Sequence, residues 1–279
     1  MTDPVEFTHL VITRFNVSVN YASGGRGLEP EWLDERFHLF ERYCLPSLAR
    51  QRGAFEWLVL MDAETPEPYR ARIEAHARDG LLRPVYVTGR LTDSRIAEIA
   101  SARVGKTANC LVTTRIDNDD AVADDFLSHI QSKVRLQREF LNFALGYQLF
   151  EGSLYLWFDP SGPFLTLVEP LSGGRLPTTV YCGPHETLGS VAPIRQLYTW
   201  PRWVQVIHGA NLENGVAGVQ VPLKRDPKGF PDLALTFEAT ARARYREGFR
   251  SVASLGHQVW QRRSAVAKRL GAARGRHQA

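Results

Sequence analysis

The sequence predicts an α/β fold built on a mixed, mainly parallel sheet, and three observations carry that expectation. Short apolar and β-branched runs alternate with helical stretches through the first half of the chain, as in consecutive βαβ units. The fourth run, in residues 110–120 (CLVTTRIDNDD), stops on a cluster of acids. Open α/β sheets bind ligands at such C-terminal strand ends. A content of 44% hydrophobic residues in 279 is enough to bury one sizeable core or two small ones.

Taken in order, residues 8–13 (THLVIT) read as the first strand. Residues 30–50 read as a helix with Leu33, Phe37, Phe40, Cys44 and Leu48 on one face and a kink at Pro46. A second strand at 55–61 (FEWLVLM), a helix at 67–78, a third strand at 83–87 and a helix at 92–103 precede the acid-tipped strand. A helix at 126–136 follows, and then the texture changes. Residues 139–143, 146–150, 153–158 and 164–168 read as short strands between Gly and Pro turns, so the second half is expected to be mixed.

The acids Asp117, Asp119 and Asp120 repel one another at this spacing, and a cation commonly offsets such repulsion. Hard oxygen ligands suit Mg²⁺ or Mn²⁺ carried together with a phosphate. The alternative is that Asp119 or Asp120 caps a helix beginning at Ala121, although a cap needs one Asp and not three.

Charge is unevenly spread. Ten of the 34 Lys and Arg lie between Arg242 and Ala279, where Glu247 is the one acid, and the rest of the chain is net −5. A pI near 9.0 therefore describes the tail and is no argument for nucleic-acid binding by the whole protein. Within residues 251–270, Val252, Leu255, Val259, Val266 and Leu270 recur at helical spacing, with Trp260 beside them and Arg262, Arg263, Lys268 and Arg269 around the polar side. Such a helix fits an anionic membrane surface, or packs its stripe on the body of the protein. The expected organisation is a catalytic domain over 1–230 and a basic helical extension over 231–279.

Cys44, Cys110 and Cys182 are odd in number and form no CxxC pair, so core thiols are expected rather than a disulfide framework or a zinc site. No apolar run is long enough to span a bilayer, and the first residues lack the features of a signal peptide. The expected setting is cytoplasmic, with peripheral attachment at the inner face of the membrane through the tail.

Two further stretches carry a family resemblance. Ser47-Leu48-Ala49-Arg50-Gln51 followed by Glu56-Trp57-Leu58-Val59-Leu60-Met61-Asp62 resembles the motif of family 2 glycosyltransferases of the GT-A fold. Arg14-Phe15-Asn16, Arg115–Asp120 (RIDNDD) and His208-Gly209-Ala210-Asn211 resemble more narrowly a rhamnosyltransferase family, over about residues 6 to 225. The resemblance implies a metal-dependent transferase with a Rossmann-like sheet, a nucleoside diphosphate sugar as donor, and a glycan, lipid-linked or small-molecule acceptor. It implies inversion at the transferred sugar.

On that footing Asp119, Asp120 and His208 are the expected metal ligands, with Asp117 reaching the ribose or a metal-bound water. Arg14, Asn16, Asp62, Arg115 and Asn211 are the expected substrate-binding residues, Asp62 accepting a bond from a pyrimidine N–H and Arg115 reaching the diphosphate. An inverting transfer also needs a general base within reach of the acceptor hydroxyl. Glu169, closing the run FLTLVE, is the first choice, with Asp159 and His185 as alternatives and Asp159 also readable as a turn residue. Gly24, Gly25 and Gly27 in SGGRG follow no strand directly and lack the Lys-Ser/Thr of a phosphate loop. The competing functions are a Mg²⁺-dependent phosphohydrolase of the haloacid dehalogenase type and a non-catalytic sugar- or lipid-binding module. In the first, the residue two positions after the second Asp is Thr or Val, and here it is Ala121.

Overall fold

The apolar runs of the first half become strands covered on both faces. β1 (Phe7–Arg14) sends Val11 into a core with Phe15, Phe37 and Phe40, and Leu10 and Ile12 into a second core with Leu60 and Ile96. β2 (Glu56–Asp62) divides the same way, Trp57, Val59 and Met61 against Leu58 and Leu60. A strand buried on both sides has no polar face, which is why neither run alternates in sequence. The computed structural model describes residues 5–19, 26–171, 176–183, 185–208, 216–221, 227–231 and 233, with His185 and Glu186 described in backbone only.

Helices α1 (Pro30–Leu39) and α2 (Leu45–Ala49) join β1 to β2, and α3 (Glu67–Ala77), β3 (Arg83–Val87), α4 (Asp93–Ser101) and β4 (Cys110–Arg115) follow. The second half runs through β5 (Ala121–Val122), α5 (Phe126–Gln131), β6 (Glu139–Phe143), β7 (Leu145–Phe150), β8 (Ser153–Phe158), β9 (Thr166–Pro170), β10 (Ile194–Leu197), β11 (Trp203–Val206) and β12 (Val219–Gln220). The main sheet has the order β10-β6-β9-β4-β1-β2-β3. β9 is antiparallel to both its neighbours, β4 and β6, and the remaining pairs are parallel. The C-terminal ends of β1, β2, β3, β4, β6 and β10 therefore share one edge, and β9 alone presents its start there. The mainly parallel, helix-flanked sheet expected from sequence is the one that forms.

A second sheet, β12-β8-β7-β11-β5, grows from the first. Trp203 of β11 stacks on Phe164 at 4.9 Å between ring centroids, and lies so close to Gly146 that a Cβ there would come within 2.0 Å of its ring. Gly146 is thus the residue that lets β7 and β11 pair over a tryptophan.

Several boundaries differ from expectation for physical reasons. The helix expected over 30–50 is interrupted by a π-helical turn, Phe40–Cys44, in which the Leu45 N–H donates to the Phe40 carbonyl. Pro46 has no N–H to give to a preceding turn, and it enters α2 in the first turn, where none is required. Asp119 and Asp120 cap no helix: the chain from Ala121 is strand β5, and α5 begins at Phe126. α5 stops at Gln131 instead of 136, and the strand expected at 164–168 lies at Thr166–Pro170, with Phe164 and Leu165 buried just before it. Cys44, Cys110 and Cys182 are free thiols, the first two buried. Among the described residues no helix is long and apolar enough to cross a membrane. Most of the expected extension over 231–279 lies outside the described residues, but Leu233 is buried in a cluster with Phe230, Val204 and Val206.

Candidate active site

The acidic run links the two sheets, so its side chains fan out instead of converging. Asp117 turns back to Arg115, whose Nη2 and Nε donate to Oδ2 at 2.8 Å and Oδ1 at 3.2 Å. Asn118 donates to the Phe15 carbonyl at 3.1 Å, locking the run to the end of β1. Asp119 accepts from Arg36 Nη1 at 2.5 Å through Oδ2, which also lies 3.0 Å from His208 Nε2. Asp120 points into the protein, where Oδ1 accepts the Val206 N–H at 2.9 Å. Burial, then Asp119 and Asp117, push its carboxyl well above the usual range. Arg115 and Arg36 offset Asp117 and Asp119 separately, and the repulsion that remains falls on the buried Asp120.

His208 reaches Asp119 because of strand pairing. β5 and β11 are antiparallel, with Val204 opposite Ala121, and continuing that register brings the end of β11 back along the acidic run. The Nδ1 of His208 faces Glu35 Oε1 at 3.7 Å, and the Arg36 guanidinium lies 5.0 Å from the centre of the Trp32 ring. On α1, Trp32 and Arg36 flank the buried stripe of Leu33 and Phe37, Trp32 packing against the same core, and Glu35 lies on the exposed side.

The donor set can be tested against a hard dication. Two ligands each about 2.1 Å from one ion at a right angle stand roughly 3 Å apart, and Asp119 Oδ2 and His208 Nε2 are 3.0 Å apart. Asp120, expected as a ligand, is held away by Val206. Among the described residues no three His, Cys, Asp or Glu side chains form a cage. The Asp119–His208 pair, hydrogen-bonded here, is thus spaced so that it could supply two ligands, and any further ligands would have to come from phosphate oxygens and water.

The other expected site residues divide by position. Arg14, Asp62 and Arg115 end β1, β2 and β4 on the same edge. Arg14 and Arg115 both lie against the Tyr181 ring, at 4.8 and 5.5 Å, and the Tyr181 hydroxyl donates to the Ile12 carbonyl at 3.1 Å. Burial pushes that phenol up to about 12. Asn16 is buried and fully engaged: Nδ2 donates to Gly27 O and Thr65 Oγ1, and Oδ1 accepts the Asp62 N–H at 3.0 Å. It holds the β1 and β2 ends together, and a substrate would have to displace those bonds to reach it. A Cβ at Gly27 would come within 2.8 Å of the Asn16 carbonyl, so this glycine permits a close backbone approach. Gly24, Gly25 and Asn211 lie outside the described residues.

Glu169, expected as the general base, lies toward the opposite edge of the sheet from Arg115. Because β9 is antiparallel, Glu169 pairs with Leu111 near the start of β4, roughly 13 Å along the strand from Arg115. There its carboxylate accepts from the Thr178 N–H at 2.8 Å and lies 3.4 Å from Arg138 Nε. Asp159 is on the correct edge: its N–H donates to the carbonyl of Ala144, just past the end of β6, and Oδ1 accepts the Ser161 N–H at 3.0 Å. That turn bond is the one its position before Pro160 suggested. His185 begins a short 3₁₀ turn, His185–Ser190, and its side chain is outside the description.

The motif residues Ser47 and Gln51 prove to be supports. Gln51 Nε2 donates to the carbonyls of Ser47 and Ala123, and Oε1 accepts the Leu127 N–H at 2.9 Å, tying α2 to the start of α5 just beyond the acidic run. Arg36, Glu35, Trp32 and Tyr181 were not singled out from sequence. Glu35 and Arg36 are charged residues of an amphipathic helix, which by pattern alone read as solvated.

Comparison with known proteins adds a family. A family profile described as "Putative rhamnosyl transferase" matches residues 26–218. No curated protein sequence matches the chain. Among solved structures, S. aureus TarS is 12% identical with a TM-score of 0.40, covering 72% of this chain and 37% of its own. A TarS 1-349 structure in complex with UDP is 11% identical with a TM-score of 0.39, covering 72% of this chain and 60% of its own. The T. maritima inositol-1-phosphate CTP transferase is 11% identical with a TM-score of 0.36, covering 74% and 92%. The chain thus spans 37% to 60% of the TarS chains it resembles.

Proposed function

The chain belongs to the rhamnosyl transferase family, and on that premise we propose that it moves a sugar from a nucleoside diphosphate sugar to a glycan, lipid-linked or small-molecule acceptor. Rhamnose is the sugar the family description suggests. The observation that supports this reading best is the meeting of Asp119, His208 and Arg36 beyond the end of β4, on the edge that also carries Arg14, Asp62 and Arg115. Family membership replaces the phosphohydrolase alternative. The first strand agrees, since it ends on Arg14 and carries no nucleophilic Asp.

Transfer breaks a bond to a diphosphate, so negative charge develops on phosphate oxygens in the transition state. A Mn²⁺ or Mg²⁺ ion held by Asp119 and His208 would supply Lewis-acid stabilisation there. Arg115 holds Asp117 in place on the same edge and offsets its charge. Arg14 and Asp62 are proposed to contact the nucleoside, Asp62 accepting a base N–H. For inverting transfer the proton of the acceptor hydroxyl passes to Asp159, which lies on the site edge where Glu169 does not.

Residues 1–230 are proposed as the catalytic unit and 231–279 as an extension that brings it to an anionic membrane surface at the cytoplasmic side, on the strength of the tail's charge and its apolar stripe. A thermal-shift screen of nucleotide sugars with and without Mn²⁺ tests the donor reading, because a ligand selective for the native state raises stability by mass action. Stabilisation that needs both nucleotide sugar and metal is expected. Sugars that stabilise without their nucleotide would favour a binding module instead.

A further inference from the structure

We infer that Arg36 is a built-in counter-cation for Asp119, which makes a dication and a diphosphate bind together rather than one after the other. The inference rests on the donor site proposed above and goes beyond it by assigning a role to a residue of α1. Arg36 Nη1 donates to Asp119 Oδ2 at 2.5 Å, and the two side chains are only 14% and 13% exposed. The guanidinium lies over the Trp32 ring, and its buried Nε has no hydrogen-bond partner. Asp119 is thus the acid that holds this group, in a site with little water to screen the pair. Arginine does not lose its proton in proteins, so the positive charge is permanent.

Two consequences of opposite sign follow. A bare dication approaching Asp119 meets a carboxylate already compensated, and it feels repulsion from the fixed guanidinium beside it. A diphosphate meets the reverse: a guanidinium whose planar fork matches phosphate oxygens and whose donors are only partly used. When the metal arrives with the diphosphate, the added negative charge faces Arg36 while the metal faces Asp119 and His208. The diphosphate offsets the repulsion that the metal meets, and by reciprocity the metal strengthens diphosphate binding to the same degree, which is a positive coupling between two binding events.

The experiment compares the full-length parent, Arg36→Gln and Arg36→Lys. Mn²⁺ is titrated alone by electron paramagnetic resonance of the free ion, and UDP, GDP and dTDP are titrated by calorimetry with and without Mn²⁺. For the parent, weak Mn²⁺ binding alone and binding about tenfold tighter with the preferred nucleoside diphosphate are expected. Arg36→Gln should bind Mn²⁺ alone more tightly, bind the nucleoside diphosphate about tenfold more weakly, and lose most of the coupling. Arg36→Lys, which keeps the charge, should retain the parent's weak Mn²⁺ binding. A merely structural arginine predicts losses of the same sign in both titrations. Mn²⁺ binding to Arg36→Gln that is unchanged or weaker, beside a parent that binds a nucleoside diphosphate with Mn²⁺, overturns this inference alone. A parent that binds none of the three with Mn²⁺ overturns the donor reading as well.

Discussion

His208 Nε2 stands 3.0 Å from Asp119 Oδ2, although 89 positions separate the two residues in the chain. The antiparallel pairing of β5 with β11 creates that contact, and Glu35 on α1 faces the other ring nitrogen at 3.7 Å. If the pair holds a metal, His208→Ala should weaken Mn²⁺-dependent nucleotide binding by about ten- to a hundredfold, with a smaller effect on thermal stability. Superimposable Mn²⁺-dependent titrations of variant and parent would instead make His208 a structural partner of Asp119.

Asp120 is adjacent to Asp119 yet faces the other way, its Oδ1 taking the Val206 N–H. Asp120→Asn keeps an acceptor oxygen for that bond, and burial with two acidic neighbours already favours the neutral carboxyl, so metal affinity should change far less than in Asp119→Asn. Asp119→Asn, by contrast, removes the hard ligand and should abolish metal dependence. Equal losses in both variants would show that Asp120 is a ligand after all.

Glu169 and Asp159 should exchange the roles their sequence positions suggest. Glu169→Gln leaves Thr178 and Arg138 with a weaker partner and should cost about 1–2 kcal/mol of stability, measured by urea unfolding, with turnover kept. Asp159→Asn should fold normally and lower kcat by about a hundredfold or more. The opposite pattern would place the base at the far edge of the sheet.

His9 is buried in β1, with Nε2 2.8 Å from Thr114 Oγ1 and Nδ1 accepting from Gln131 Nε2 at 3.1 Å. Burial lowers its pKa to about 3, below the value of 6.5 for the free side chain. The unfolded chain therefore takes up a proton in this window and the native state does not. Stability from this group is present above pH 6.5 and is lost as pH falls toward about 3, by at most about 1.4 kcal/mol per pH unit. His9→Gln should flatten the stability profile between those limits, measured by denaturant titration at several pH values. An unchanged profile would mean that other groups dominate acid unfolding.

Much of the fold was legible because apolar runs and turn residues report directly on burial. The four leading strands, their helices and the acid-tipped β4 follow from pattern alone. Strand direction does not. The sequence of β9 carries no mark that it runs against β4, and that one reversal moves Glu169 from the site to the opposite edge. The same limit hid Arg36 and Glu35, whose meeting with Asp119 and His208 depends on how α1 lies across the sheet ends. A proline was read as a kink where the chain uses a π-helical turn just before it, because the missing N–H is accommodated one turn earlier. The acids of the DNDD run looked like one cluster because spacing shows proximity of backbone, not direction of side chains.

The most direct test of the account is release of nucleoside diphosphate from UDP-glucose, GDP-mannose and dTDP-rhamnose, measured for the full-length parent and for Asp119→Asn with Mn²⁺ and with a chelator. The account predicts release from one of these donors by the parent, the sugar passing to water where no acceptor is supplied, dependent on Mn²⁺ and lost in the variant. Release that survives the chelator and the substitution alike would contradict a donor site built on Asp119.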